Sequence, residues 1–321
     1  VSELVMVEQR RGRDDADSAP WIVEGGRRVE GHDCNRRLSA LRDGLVRHAG
    51  VRPIAADAGD GEVERTLGIL HEPGYLRALK EVGAEEPVTL PDFAAPGLEP
   101  DIPVRSGLVD AAHEGVRTAI TAAEKLAAGA QYTYAVCRPP GHHAGPAFCG
   151  GYCYLNTAAA AVQTLCEAGL RPVGILDLDL HYPNGTAALV ERIPDATLHS
   201  LHASPVTNVP RETVLPQGAR ERVVAFAASP SPDAYLAEVR RSLATLAEPA
   251  AALVVSLGYD TVAGDPHGSW SFSPGVFTDV GRLLAGTGLP VCVIQEGGYS
   301  LSTLADCSHA FAVGLLDGEP G

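Results

Sequence analysis

Two short stretches of this chain carry residue types that do chemistry together. One is Asp177-Leu178-Asp179-Leu180-His181 and the other is the pair His142-His143. An Asp-x-His step offers a carboxylate and an imidazole to a single metal ion, and paired imidazoles nearby move protons for a water on that metal. Together they are the minimum set for metal-assisted hydrolysis, which makes an enzyme the leading reading. Alone, an Asp-x-His step is more often a buried hydrogen-bonded pair, and a His-His step is more often a surface loop. Asp260, just beyond the apolar run Leu253–Leu257, changes that balance by supplying a third ligand. Two carboxylates and one imidazole leave a coordination position open for water, as a catalytic site requires.

In an extended segment, residues i and i+2 face the same way, so Asp179 and His181 are expected to reach one ion. Asp177 faces the same side and is placed as a supporting partner or as a ligand of another cation. Pro139-Pro140-Gly141 predicts a stiff turn that presents His142 and His143 into a cleft. In Glu296-Gly297-Gly298-Tyr299 the two glycines allow a sharp turn, and a phenol aimed at a polarised carbonyl would stabilise an oxyanion.

These motifs need elements to position them. Short apolar runs alternate with helical periodicity. Strands are predicted at Tyr134–Cys137, Val173–Leu178, Thr197–Leu201, Leu253–Leu257 and Val291–Gln295. Helices are predicted near 109–128, 156–168, 184–192, 233–247 and 274–286. Alternation of this kind predicts one α/β domain over 1–321, an open, mostly parallel sheet with helices on both faces. Ligands then bind beyond the carboxyl ends of the strands. Four strand ends carry polar motifs: Arg138–Ala144, Asp177–His181, Gly258–Pro266 and Glu296–Tyr299. Residues 84–105, rich in Pro and acidic side chains, read as a long excursion within the domain, and such loops are often functional.

The chain has 321 residues, 45% of them hydrophobic, enough for a large core. A net charge of −15 argues against a nucleic-acid surface and is compatible with a cationic substrate, although a solvated acidic surface explains it better. Seven cysteines without a paired framework are expected to be reduced thiols in a cytoplasmic protein. No apolar run has the length of a signal peptide core or a membrane span.

RPPGHHAGPAFCGGYCYLN (138–156), DLDLHYPNGT (177–186), SLGYDTVAGDP (256–266) and QEGGY (295–299) resemble, in order, the motifs of the histone deacetylase family. The likeness spans roughly 30–317, and GGYCYLN and GYDTVAGDP are most similar to bacterial acetylpolyamine amidohydrolases. The resemblance implies zinc on Asp179, His181 and Asp260, with iron or cobalt as substitutes. It implies His142 and His143 as the proton-transfer pair, Asp177 orienting His142, and Asn184 contacting His143. Tyr299 would bind the substrate carbonyl, the Gly151 carbonyl would accept the substrate N–H, and Tyr152 would line a tunnel. A potassium ion would use Asp177, Asp179, His181, Ser200 and Leu201. Arg37 matches the arginine near the family's acetate exit channel. The implied partner is a small N-acylated amine, with protein acetyl-lysine or a biosynthetic intermediate as runners-up. A homodimer paired through an inserted loop is also within the resemblance.

The chain departs from the pattern at Tyr182-Pro183, where the family has His-Gly, and over Ala203–Pro216, which is short and holds no aromatic residue. HDCNRRL (32–38) matches only loosely. Binuclear manganese ureohydrolases share the scaffold, but their second metal needs aspartates where this chain has Pro183 and Gly258. A non-catalytic binding module would have to keep a complete hydrolytic set idle. The acidic side chains Glu85, Glu86, Asp92 and Glu99 are candidates for attracting a cation.

Overall fold

The structure, a computed structural model, describes residues 3–10, 18–83, 86–204 and 220–318. Its frame is an eight-stranded, wholly parallel sheet. The strands are β1 (Leu4–Glu8), β4 (Val51–Ala55), β5 (Tyr132–Val136), β6 (Val173–Asp177), β7 (Ala196–Ala203), β8 (Glu221–Phe226), β9 (Ala252–Leu257) and β10 (Val291–Gln295), in the order β4-β1-β5-β10-β9-β6-β7-β8. A separate antiparallel hairpin joins β2 (Trp21–Glu24) to β3 (Arg27–Glu30).

Every residue of β5, β6, β9 and β10 is buried, because helices cover both faces of the sheet. Alternate residues of a strand therefore enter different cores. Val5 and Val7 of β1 join one cluster, while Leu4 and Met6 join the other. The first core is closed by α2 (Asp60–Leu70), α3 (Pro73–Lys80), α4 (Ser106–Ala127) and α5 (Thr157–Glu167). The second is closed by α1 (Arg36–Leu45), α7 (Pro232–Ala247), α8 (Gly275–Ala285) and α9 (Leu304–Asp317). The short α6 (Asn184–Val190) follows the β6 loop.

Local chemistry sets the helix starts that matter to the site. Asn156 caps α5, its Oδ1 accepting from Ala159 N at 2.8 Å, and Ser231 caps α7 ahead of Pro232. The four strands whose ends carry the polar motifs, β5, β10, β9 and β6, are consecutive in the sheet. The chain leaves β5 for β6 and returns later to fill β9 and β10 between them. That reversal opens a crevice at the carboxyl rim.

The strand carrying Asp177 ends at Asp177, earlier than the extended reading over Asp177–His181. Carboxylates replace the ladder there: Asp177 Oδ1 accepts from Asp179 N at 3.2 Å, and Asp179 Oδ1 accepts from His181 N at 2.9 Å. Side-chain acceptors two residues back bend the segment, so it is this bend that brings Asp179 and His181 together.

The 84–105 excursion is not structureless. Val88 bridges Val104, Ala94 bridges Cys149, and Val23 N donates to Asp101 O at 2.7 Å. Glu86, Asp92 and Glu99 are exposed, while Glu85 and residues 205–216 of the short loop lie outside the described residues. The seven cysteines are all free. Among the described residues, no helix is long and apolar enough to cross a membrane.

Candidate metal centre and active site

Asp179, His181 and Asp260 converge at the ends of β6 and β9, with ligand atoms within 4.8 Å of one another. His181 Nδ1 lies 3.1 Å from both Asp179 Oδ1 and Asp260 Oδ2. The remaining carboxylate oxygens are fixed by backbone: Asp179 Oδ2 accepts from Gly297 N at 2.8 Å and Asp260 Oδ1 from Leu180 N at 3.1 Å. Both aspartates are buried, whereas the His181 side chain keeps 27% of its surface and forms the open side. Burial opposes charge on His181, yet Asp179 and Asp260 raise its pKa to about 10. Burial and the neighbouring Asp179 push Asp260 up to about 7. Such concentrated buried negative charge is what a divalent cation neutralises.

The space around the carboxylates is kept by glycine. A Cβ on Gly258 would lie 2.3 Å from Asp179 Oδ2, and one on Gly297 would lie 2.6 Å from the same oxygen and 2.7 Å from Asp260 Oδ2. Donor set, charge and cradle all fit a single metal ion held by Asp179, His181 and Asp260.

His142 and His143 face this centre, their ring centroids 4.0 Å apart. Each is tied from behind. His142 Nδ1 lies 3.3 Å from Asp177 Oδ2, and His143 Nδ1 lies 2.8 Å from Asn184 Oδ1. Their surroundings set opposite protonation. Burial disfavours charge on His142, but Asp179 and Asp177 raise its pKa to about 10. His143 is driven well below the usual histidine range by burial and by the positive charge on His142 and His181. With Asn184 accepting at Oδ1, His143 carries its proton on Nδ1 and presents a bare Nε2.

Tyr299 follows β10 and is buried; burial holds its phenol well above the usual range, so it stays a proton donor. Its backbone N donates to Asp265 Oδ2 at 2.6 Å, and the Arg37 guanidinium lies over its ring. Arg37 is fully buried and donates to Gly298 O at 2.7 Å, Glu296 O at 2.5 Å and Asp33 Oδ1 at 2.6 Å.

Gly151 and Tyr152 form the opposite wall. Both have left-handed backbone, with φ of 53° and 67°. Glycine is required at 151 because a Cβ there would meet His143 Cδ2 at 2.3 Å. Tyr152 is held in its strained conformation through its hydroxyl, 3.1 Å from both His267 Nε2 and His32 N. Of the residues named for potassium, Asp177 pairs in register with Ser200 across β6 and β7, and Leu201 is the next residue of β7. Tyr182, at a departure from the family pattern, donates to Glu221 Oε1 at 2.7 Å and packs its ring 5.2 Å from that of His202.

Four functional neighbours were not singled out by the sequence reading. Asp101 in the excursion accepts from Gly151 N at 3.0 Å, and burial raises its pKa. Asp33 bridges Arg37 and Arg138. Asp265 holds the turn into Tyr299. His267 packs its ring 4.8 Å from Tyr299 and donates from Nδ1 to Glu24 Oε1 at 2.9 Å. The available signals were the DP of SLGYDTVAGDP and the Asp33–Arg37 spacing in HDCNRRL; the contacts of Asp101 and His267 join distant parts of the chain and leave no spacing pattern. A cavity of about 450 Å³ lies beside His181, lined also by Tyr182, Ser204, Phe226, His267 and Trp270. A second convergence, of His142, Cys153 and Glu296, is wholly buried; burial, then Glu296, push the free Cys153 thiol far up.

Comparison with known proteins gives a consistent picture. A sequence profile described as the histone deacetylase domain matches residues 32–315. The chain is 32% identical over 254 residues to acetylpolyamine amidohydrolase 1 of Pseudomonas aeruginosa, covering 76% of this chain and 72% of that protein. It is 32% identical over 291 residues to the acetylpolyamine amidohydrolase of Mycoplana ramosa, covering 80% and 84%. The crystal structure of an acetylpolyamine aminohydrolase from Burkholderia pseudomallei superposes with a TM-score of 0.82 at 25% identity, covering 98% of each chain.

Proposed function

This chain belongs to the histone deacetylase family, and from that premise we propose that it is a zinc-dependent amidohydrolase that releases acetate from a small, cationic, N-acetylated amine of the acetylpolyamine type. The observation that carries the reading is the meeting of a two-carboxylate, one-imidazole centre with a doubly tied histidine pair and a buried tyrosine on one sheet rim. Zinc on Asp179, His181 and Asp260, or iron or cobalt in its place, would supply a Lewis acid for the amide carbonyl and acidify a water.

The protein's own residues do the rest. His143, neutral with Nε2 bare, takes the proton from the attacking water. Tyr299 donates its phenolic hydrogen to the oxygen that becomes negative. His142, kept protonated by Asp179 and Asp177 against burial, delivers a proton to the departing amine. The Gly151 carbonyl accepts the substrate N–H, and Tyr152 forms the wall beside it. A potassium ion beneath the centre, on Asp177, Asp179, His181, Ser200 and Leu201, would stiffen the β6–β7 end.

The polyamine branch is supported by the names of the relatives, by the net charge of −15, and by the Asp101 carboxylate behind Gly151. The test is acetate release by the zinc-loaded protein, offered N-acetylated polyamines, acetyl-lysine peptides and simple N-acetyl amines in parallel. Faster turnover of the small cations supports the proposal. Preference for peptides moves the substrate to protein acetyl-lysine, and no release from any of them defeats the acetyl-amine reading.

A further inference from the structure

We propose that Glu296 is a positioning residue that holds the His142–His143 pair in register with the metal centre and Tyr299; the inference rests on the deacetylase reading above. Glu296 is fully buried at the end of β10. One oxygen, Oε2, accepts from two successive backbone donors, Gly141 N at 2.7 Å and His142 N at 3.1 Å. The other oxygen, Oε1, is buried with no hydrogen-bond partner.

The rest of the loop is anchored elsewhere. Ala144 N donates to Gly141 O at 2.9 Å, Thr186 N to His142 O at 3.0 Å, and Asn156 Nδ2 to Ala144 O at 2.9 Å. On its far side the loop presses on the start of α5, where a Cβ on Gly141 would fall 2.4 Å from Thr157 Oγ1. Those anchors tie the loop to α5 and α6. Glu296 ties it to the segment that carries everything else. Its own carbonyl accepts from Arg37, the next residue's N–H reaches Asp179 Oδ2, and Tyr299 lies three residues on. The imidazoles, a metal-side carboxylate and the phenol thereby share one short piece of chain as their reference.

A carboxylate suits this task because one oxygen with high electron density can accept two converging N–H groups. A side chain serving packing alone would have both oxygens satisfied or none buried, since a bare buried oxygen is costly. Departures of that kind are retained where function needs them.

The experiment compares wild type, Glu296→Gln and Glu296→Ala as zinc-loaded proteins. It follows acetate release from N-acetylputrescine, bound zinc, and amide hydrogen exchange of the peptide covering 139–146. For Glu296→Ala the expected result is kcat lowered on the order of 10²-fold, the scale of an ångström-sized misplacement. KM should stay within about twofold, with zinc still bound and faster exchange in that peptide. Glu296→Gln, which keeps an accepting oxygen, should recover most of the loss and covers the case in which the alanine variant does not fold. Unchanged exchange, or kcat within about threefold of wild type in Glu296→Ala, overturns the proposal. So does equal loss in both variants, since the amide would then have restored nothing. Absence of turnover by wild type defeats the deacetylase reading for this substrate, and the exchange comparison then decides by itself whether Glu296 holds the loop.

Discussion

The guanidinium carbon of Arg37 lies 4.5 Å from the centroid of the Tyr299 ring, and Arg37 Nε donates to the carbonyl of Gly298, the residue just before it. Arg37 thus fixes both the plane of the phenol and the turn that delivers it. Its charge is balanced at Asp33, which also pairs with Arg138, all three side chains being fully buried. Replacing Arg37 by Met should loosen Tyr299 and lower kcat more than it raises KM. It also leaves Asp33 with one cation fewer in a dry site, where breaking a buried pair costs about 3–5 kcal/mol. Thermal unfolding and steady-state kinetics of the same preparation separate the two effects. A variant as stable and as active as wild type would remove Arg37 from this role.

Tyr299→Phe removes one donor and nearly nothing else, because the backbone N–H to Asp265 and the ring contact with Arg37 survive. Loss of one oxyanion donor costs on the order of 10²–10³ in kcat. Binding of a hydroxamate, which grips the metal without reaction, should change far less. Unaltered turnover in Tyr299→Phe would show that the oxyanion is stabilised elsewhere.

The part of the fold that the sequence made legible is the part buried on both faces. β5, β6, β7, β9 and β10 were expected within one or two residues of where they run, since continuous apolar strands read clearly against helical periodicity. β4 was invisible because it is an edge strand, with Arg52 and Pro53 outward and little burial. β1 was missed although it is an inner strand, paired between edge strand β4 and β5. Its LVMVE run is only five residues and stands alone ahead of any helical pattern. In the site, the ligands and histidines were legible because their types repeat at short spacing. Asp101 and His267 were not, because Asp101 meets Gly151 across 50 residues and His267 meets Tyr152 across 115; Asp33 lay in the loosely matching HDCNRRL, four residues from Arg37, but its pairing with Arg138 spans 105. Proximity of that kind belongs to the sheet order and has no local signature.

Zinc should stabilise the folded protein by mass action, by about 2.7 kcal/mol at a free concentration about 100 times its Kd. The melting temperature should therefore climb with zinc and fall on chelation, with activity following. Asp260→Asn, which weakens the charge of the centre, should flatten the climb. Elemental analysis should return one divalent transition metal per chain, as the donor set predicts; two would reopen the binuclear reading.

Acid should destabilise the fold through His71, whose buried ring must stay neutral to keep its two hydrogen bonds. Burial lowers the pKa of His71 from 6.5 to about 4, and the neutral ring donates from Nδ1 to Gly145 O while Nε2 accepts from Asn156 N. The folded state binds the proton less readily than the unfolded chain. The contribution of this group is therefore complete above pH 6.5, falls as pH drops, and is gone below about 4. A displacement of that size corresponds to about 3 kcal/mol. His202, lowered to about 4 mainly by burial, acts in the same direction. His71→Gln should reduce the slope of melting temperature against pH in this window. An unchanged slope would assign the acid sensitivity to other groups.

Gly258 offers a direct test of the metal cradle. Alanine there would place its Cβ 2.3 Å from Asp179 Oδ2 and 2.7 Å from Asp260 Oδ1, distances no relaxed Cβ tolerates. Since Asp179 is also held by Gly297 N and His181 N, the carboxylate cannot move aside without breaking one of those bonds. Gly258→Ala should therefore cut zinc affinity and turnover together, even though it touches neither substrate nor metal. Gly68→Ala is the matched control. It lies on the exposed side of α2 with nothing within 4 Å of the added methyl, and should raise stability by roughly 0.5–1 kcal/mol through helix propensity alone. Titrating zinc into both variants with a competing chelator decides the matter. Wild-type affinity in Gly258→Ala would mean that the two carboxylates do not form the metal site in the arrangement described, whereas loss confined to that variant ties metal binding to the absence of a side chain at position 258. The same lack of room bears on a second metal: an aspartate at 258 would have to push its own Cβ into Asp179 before it could offer an oxygen to an ion.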